Sequence, residues 1–372
     1  MSSSFFISIC VDPRLILEHK SKDTGSRHRS LNVVDVMVWL TTLSSPRSRA
    51  KALGVLVLSN NLFSPLTSLA FTTRSSSTMP KIFMILSPAK TMDFSPQLPN
   101  TASSLQLTTP ECSPTLTDRV AKAMKKLSKS QIKSTLKISD ALATSTKDAW
   151  QAFAKEDTQK KPCIFTYSGA AYQGLEAGKS CSTEALLYLQ DRLRILSAAY
   201  GVLRPFDQIQ AYRLEMGTKG ILEDEDGKAA KFSDIWSTAV TESLLRDMSC
   251  ASSKGSAQDT ILLNLASDEY SATIKDTEQI PSFIKVIFRE PNGRVVAVHA
   301  KRARGLMVRY LATHQVDSLE GVKGFDWERY QFQESSSDQS VLVFQRANPE
   351  KEKPEPTAKA APGPVRKRTR TR

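Results

Sequence analysis

The residues best suited to chemistry fall in three short stretches. Ser87-Pro88-Ala89-Lys90-Thr91-Met92-Asp93 offers hydroxyls, an amine and a carboxylate within seven positions. Ala266-Ser267-Asp268-Glu269-Tyr270 places two carboxylates side by side, which suits a general base or a cation ligand, although Ser267 and Asp268 equally suit the start of a helix. Lys301-Arg302-Ala303-Arg304-Gly305-Leu306-Met307-Val308-Arg309 carries four cations in nine residues. On a helix Lys301 and Arg304 share one face while Arg302 and Arg309 share another, a pattern that favours gripping an anionic ligand. A buried Lys90 of lowered pKa would also be a nucleophile for an abasic sugar, with Asp93 or Asp268 handling the proton. The plainer alternative is that Lys90 contacts a phosphate.

These groups need elements to position them. Lys81–Leu86 reads as a short apolar strand that Pro88 brings to an end, so the Ser87–Asp93 loop lies at the carboxyl edge of a first strand, where α/β proteins place chemistry. Cys163–Tyr167 reads as a second buried strand, leading into Tyr167-Ser168-Gly169-Ala170-Ala171-Tyr172-Gln173-Gly174-Leu175, whose two glycines and two tyrosines suit close approach to a ligand. Ile261–Leu265 is a further strand. Phe283–Arg289, the Glu290-Pro291-Asn292-Gly293 turn and Arg294–Ala300 read as a hairpin signalled by Asn-Gly. Tyr330–Phe332 and Val341–Phe344 read as closing strands.

Helices are expected over Leu116–Leu127, from Ser139-Asp140 to Phe153, and from Ser182-Thr183-Glu184 onward. Lys122, Lys126, Lys129, Lys133 and Lys137 would form one stripe on a continuous helix, either a track for a phosphate backbone or a solvated face, with Ser128 and Ser130 as the alternative that breaks the helix. Tyr200-Gly201-Val202 is similar to the hairpin of a helix-hairpin-helix element, in which glycine exposes backbone N–H groups to a DNA phosphate. Arg204 and Arg213 would add charge-assisted contacts.

The chain of 372 residues has 51 Lys and Arg against 38 Asp and Glu, a net charge of +13. The excess lies at the ends: residues 1–78 hold nine cations against four anions and residues 348–372 eight against three, leaving 34 against 31 between them. Five scattered cysteines exclude a disulfide scaffold. No CxxC, HExxH or Cys/His cluster is present, so no metal site is expected. Val36–Met92 lacks any acidic residue and is rich in Ser, Thr and Arg, the composition of an organellar transit peptide, with Met79 a natural start for the mature domain. Its apolar run is too broken to span a membrane. The tail, 348–372, ends in a basic cluster and reads as disordered, with a nuclear address as an alternative to mitochondrial or plastid import.

These segments, in this order, resemble the YaaA family of bacterial peroxide-stress proteins. The likeness rests on Leu86–Asp93, Tyr167-Ser168-Gly169 with Tyr172–Leu175, Tyr200–Asp207, Tyr212–Gly217, Asn264–Tyr270 and Lys301–Met307, and covers about residues 79–347. The resemblance implies a single compact domain of mixed α/β class, helices around a β core, containing a helix-hairpin-helix element and a positively charged cleft that binds DNA. It further implies a cytoplasmic monomer made under hydrogen peroxide stress. Such a protein limits unincorporated iron and iron-driven DNA damage, with no securely established reaction and no cofactor. Its DNA partner would be double-stranded or structured and read without sequence preference. Carried over, the cleft draws on Ser87, Lys90, Thr91, Asp93, Tyr167, Gly169, Arg204, Arg213, Glu215, Asp268, Lys301, Arg304 and Arg309, with Gly201 at the hairpin. Ala198 stands where a glycine is common. A DNA-lesion enzyme of lyase or glycosylase type, using Lys90, is the competing reading.

Overall fold

A computed structural model describes residues 81–348 apart from 96–97, 103–104, 225, 252–259 and 276. The expected N-terminal extension with its transit-peptide character, Met79, and the tail beyond Asn348 lie outside the described residues.

Eleven strands follow one another as β1 (Lys81–Leu86), β2 (Lys161–Pro162), β3 (Leu193–Ser197), β4 (Gly201–Leu203), β5 (Gln208–Ile209), β6 (Lys219–Glu223), β7 (Ala229–Lys231), β8 (Thr260–Leu265), β9 (Phe283–Arg289), β10 (Tyr330–Phe332) and β11 (Val341–Arg346) among the described residues. Seven of them form the central sheet in the order β10-β11-β9-β8-β1-β3-β4, while β2 pairs with β5 and β6 with β7. The interior pairs β11–β9, β9–β8, β8–β1 and β1–β3 are parallel. The outer pairs β10–β11 and β3–β4 are antiparallel. Strands covered on both faces of a parallel sheet must be apolar throughout rather than alternating; accordingly Ile82–Leu86 of β1 and all of β8 are buried.

The helices are α1 (Pro114–Lys126), α2 (Lys129–Leu136), α3 (Asp140–Ala152), α4 (Cys163–Thr166), α5 (Ala170–Leu175), α6 (Ala177–Ser180), α7 (Thr183–Arg192), α8 (Phe232–Ile235), α9 (Ser237–Ala251), α10 (Asp268–Ser271), α11 (Ala297–Thr313) and α12 (Leu319–Lys323). Their starts follow local chemistry. Ser113, Ser128, Ser139 and Ser182 each cap a helix by accepting a backbone N–H, and Pro114 opens α1 where no donor is needed. Among the described residues no helix is long and apolar enough to cross a membrane.

Four expectations are corrected. The lysine stripe is divided, because Leu127 is extended and Ser128, with Gln131, forms a capping box that starts α2 afresh. Cys163–Thr166 is one helical turn, not a strand; only Lys161–Pro162 pairs, and the short apolar run carried no period to distinguish the two. Arg294–Ala300 is not a strand. Both edges of β9 are already taken by β8 and β11, so the returning chain has nothing to pair with and enters α11 at Ala297.

Gly201, fourth, is not part of a helix-hairpin-helix element. It lies in a β-hairpin between β3 and β4, entered directly from α7, and not between two helices. Residues 198–203 are all buried, and the Ala199 and Tyr200 amides donate to Ser197 Oγ, so no backbone N–H is presented to a phosphate. Glycine is required there because φ is +75° and a Cβ would stand 2.6 Å from the Trp236 ring.

Candidate functional site

Chemistry gathers at the carboxyl edge of β1 and β8, the position where parallel sheets expose loops to ligands. The chain leaving β1 turns at Ser87, and the chain leaving β8 turns at Ser267. The two are stitched together, since the Ser267 amide donates to Ser87 Oγ at 2.9 Å and their hydroxyls lie 3.3 Å apart. The Tyr172 hydroxyl of α5 donates to the Ser87 carbonyl at 3.1 Å. Residues 91–93 run beside 166–168, with Asp93 N donating to Thr166 O at 2.7 Å and Ser168 N to Thr91 O at 2.9 Å. The fourth wall is α11, which crosses α5 at close range.

These walls enclose a cavity of about 290 Å³ lined by Ser87, Lys90, Thr91, Gly169, Lys301 and Arg304. Glu215 joins through Lys90, whose ammonium lies 2.7 Å from its carboxylate. Arg304 is the most constrained of the cations. Its Nε is buried with no hydrogen-bond partner among the described residues, and burial pushes the guanidinium down, opposed by the charge of Asp268. Buried polar groups left without a partner are rare in native structures.

Ser168, Ser267, Glu269, Tyr172 and Tyr270 also line this cavity. All five fall in the candidate loops of the sequence, and none of them is among its chosen site residues. Glu269 is instructive: its neighbour Asp268 was the expected carboxylate, but Asp268 starts α10, is 78% exposed and pairs with Lys285 at 2.6 Å. Glu269 instead faces the cavity and accepts the Gly217 amide at 3.0 Å. Burial pushes the Tyr172 and Tyr270 phenols far up, so both remain protonated hydroxyls.

A second cavity, about 690 Å³, shares Ser168 and Tyr172 with the first and is lined by Asp93, Tyr167, Lys161, Glu176 and Arg302. Asp93 is occupied locally: hydrogen bonds from the Ser95 amide and hydroxyl hold its carboxyl below the usual range. The Tyr167 and Tyr212 hydroxyls lie 2.7 Å apart in the interior, where burial pushes Tyr212 up to about 12. Arg302 donates to Glu328 at 2.8 Å, and Arg309 is ion-paired with Glu176.

The remaining candidates stand apart. Arg204 pairs with Glu111 at 3.2 Å and Asp207 at 3.5 Å, and its nearest cavity holds only about 20 Å³. Arg213 lines neither main cavity; its carbonyl accepts the Trp150 indole N–H at 3.3 Å. Lys90 is 61% exposed and ion-paired. The buried amine that the lyase reading requires is therefore not what the structure shows, since desolvation is the cause that would activate it.

The Glu176–Arg309 pair gives a test of how the walls are held. The Arg309 guanidinium, and after it the Ser180 hydroxyl, keeps Glu176 below the ordinary carboxylate value. A carboxylate lowered in the folded state stabilises fully above its unfolded value of about 4.3, and that contribution is lost as pH falls through the lowered value. Thermal unfolding followed from about pH 6 to about pH 3 should show acid destabilisation that is shallower in Glu176→Gln. Identical acid slopes would show that the pair does not tie α11 to the end of α5.

The described fold and site can be set beside known sequences. Residues 82–336 match the family model described as peroxide stress protein YaaA. The chain is 38% identical over 271 residues to a UPF0246 protein of Caulobacter vibrioides (strain NA1000 / CB15N), covering 72% of this chain and 100% of the relative. A UPF0246 protein of Aliivibrio fischeri (strain MJ11) is 33% identical over 270 residues, 71% of this chain and 98% of the relative. One from Psychromonas ingrahamii is 38% identical over 270 residues, with 71% and 99% covered.

Proposed function

Because this chain belongs to the peroxide stress protein YaaA family, with the peroxide-stress role that membership carries, we propose that it acts by binding DNA without sequence preference at the carboxyl edge of its sheet. The observation that carries the reading is the convergence of Lys90, Lys301 and Arg304 on one cavity, with Arg304 Nε buried and unpartnered among the described residues. Phosphate oxygens are the acceptors such a set suits, and backbone contacts of this kind carry no base information.

Binding of this kind also bears on iron. Cations that neutralise phosphates release the counterions condensed on DNA. Ferrous ions are among the counterions that would be displaced, so hydroxyl radicals formed from peroxide would arise farther from the sugar and bases. Protection then requires no ligand set for iron in the protein itself.

Anisotropy titrations of a labelled duplex at several salt concentrations test this reading. Three phosphate contacts predict a slope of log affinity against log salt of about −2.7. Lys301→Glu with Arg304→Glu should abolish measurable binding, and exchanging the duplex sequence should leave affinity unchanged. Salt-independent binding, or full binding by the doubly reversed variant, would remove the proposal. Iron and peroxide nicking of plasmid DNA, slowed by the protein and not by that variant, gives the functional readout.

A further inference from the structure

The segment entering α11 is unusual on this surface. Val295, Val296 and Val298 are 57%, 38% and 57% exposed. The other large exposed apolar residues among those described, such as Leu142 and Leu187, stand singly, which is ordinary for a soluble surface. Three β-branched apolar side chains in four exposed positions are a patch that something covers.

The patch is held firmly. Before it, the Glu290 amide donates to the Arg294 carbonyl and the Gly293 amide to the Glu290 carbonyl, both at 2.8 Å, and the Arg294 amide donates to Asn292 Oδ1 at 3.0 Å. The Glu290 carboxylate is itself held by Arg346 at 3.1 Å and by the Tyr330 hydroxyl at 3.3 Å. After the patch comes the first turn of α11, where Val298 is three positions from Lys301 and so adjoins it on the helix surface. Lys301 lines the 290 Å³ cavity. An apolar segment therefore leads into the helix that carries Lys301 to the cavity, with Arg289 and Arg294 in the same stretch of chain.

The cavity's size and lining limit its occupant. It lies near the small end of ligand pockets, roughly 300 Å³, too small for a length of duplex. Its walls combine the Tyr172 and Tyr270 side chains with hydroxyls, the Glu269 carboxylate and the Arg304 guanidinium. Hydrogen-bonding groups beside aromatic side chains are what sites use to read a nucleobase taken out of the stack. Apolar side chains inserted between base steps are what DNA-binding proteins use to hold such a distortion open.

We infer that this cavity receives a single nucleotide turned out of a DNA duplex, and that Val295, Val296 and Val298 fill the step it leaves. The inference rests on the DNA-binding reading above and adds to it a distortion of the bound duplex. Extrusion costs least where pairing is already weak, so mismatched or oxidised positions are the preferred points of engagement.

The test uses the full chain and a duplex carrying one 2-aminopurine in a mismatch, whose fluorescence is quenched by stacking. Wild-type protein should bind, by anisotropy, and raise that fluorescence severalfold. The exposed Val295→Ser/Val296→Ser/Val298→Ser variant should still bind measurably through its phosphate contacts yet lose the rise. Ala170→Phe, which places a ring in the cavity, should lose the rise as well. Binding by wild type without any rise overturns the inference and leaves DNA binding standing. A full rise with the serine variant removes the wedge, and one with Ala170→Phe removes the cavity as the destination. No binding by wild type at all overturns both readings.

Discussion

Gly305→Ala is expected to cost about 3 kcal/mol of stability or more and, with it, the binding cavity. A Cβ built at Gly305 would lie 1.7 Å from the Ala171 carbonyl oxygen and 2.8 Å from the Leu175 amide. Both obstacles are backbone of α5, so no rotamer change relieves them, and the helices must separate. The facing position is built alike: a Cβ at Gly174 would stand 2.2 Å from the Arg302 carbonyl oxygen. Glycine on each helix lets the two backbones meet where side chains would hold them apart. Since Gly169, Ser168 and Tyr172 reach the cavity from the α5 side and Lys301 and Arg304 from the α11 side, separating the helices moves both walls. A urea midpoint unchanged in Gly305→Ala would show that the close crossing is dispensable.

The second large effect is expected at Asp247→Ala. Arg194 enters the sheet core on β3 and is only 5% exposed. Its Nε donates to Asp247 Oδ2 of α9 at 2.5 Å, and its Nη1 to the Gln190 and Leu193 carbonyls at 3.1 and 2.8 Å. The guanidinium also lies over the Phe83 ring at 5.7 Å. Removing the carboxylate leaves a buried cation facing only neutral acceptors, and the loss is set at about 3 kcal/mol. Replacing both partners by apolar residues, Arg194→Met with Asp247→Leu, removes the stranded charge and should recover most of it. Urea unfolding of the single and double variants decides the matter. A single variant as stable as wild type would show that the guanidinium is satisfied without Asp247.

Much of this architecture was legible in the sequence where local chemistry decides it. The all-apolar runs of β1 and β8 announced strands covered on both faces, and the serines at 139 and 182 marked helix starts, whereas the caps at Ser113 and Ser128 emerged only with the fold. The loop after β1 and the cations of α11 were chosen before their meeting could be seen. The rest depended on what sits next to what. Nothing between Arg294 and Ala300 reveals that both edges of β9 are occupied. Tyr200-Gly201-Val202 has the same residues whether a helix or a strand follows, and Trp236, which packs on Gly201 from α8's C-terminal end, is far away in sequence. The choice between Asp268 and Glu269 turns on a single helical position, set by where α10 begins.

The order of strands also governs how the molecule comes into being. β1 is the first strand of the described chain, yet it lies in the interior of the sheet between β8 and β3, with Lys81 opposite Thr260 of β8. At roughly 5 to 20 residues per second, the ribosome needs on the order of ten seconds or more to deliver that partner. Until then Ile82–Leu86 is an apolar segment without its full set of neighbours, the kind of stretch that nascent chains must shield from one another. The sheet therefore closes late in synthesis, and the earliest-made strand waits longest for its second neighbour.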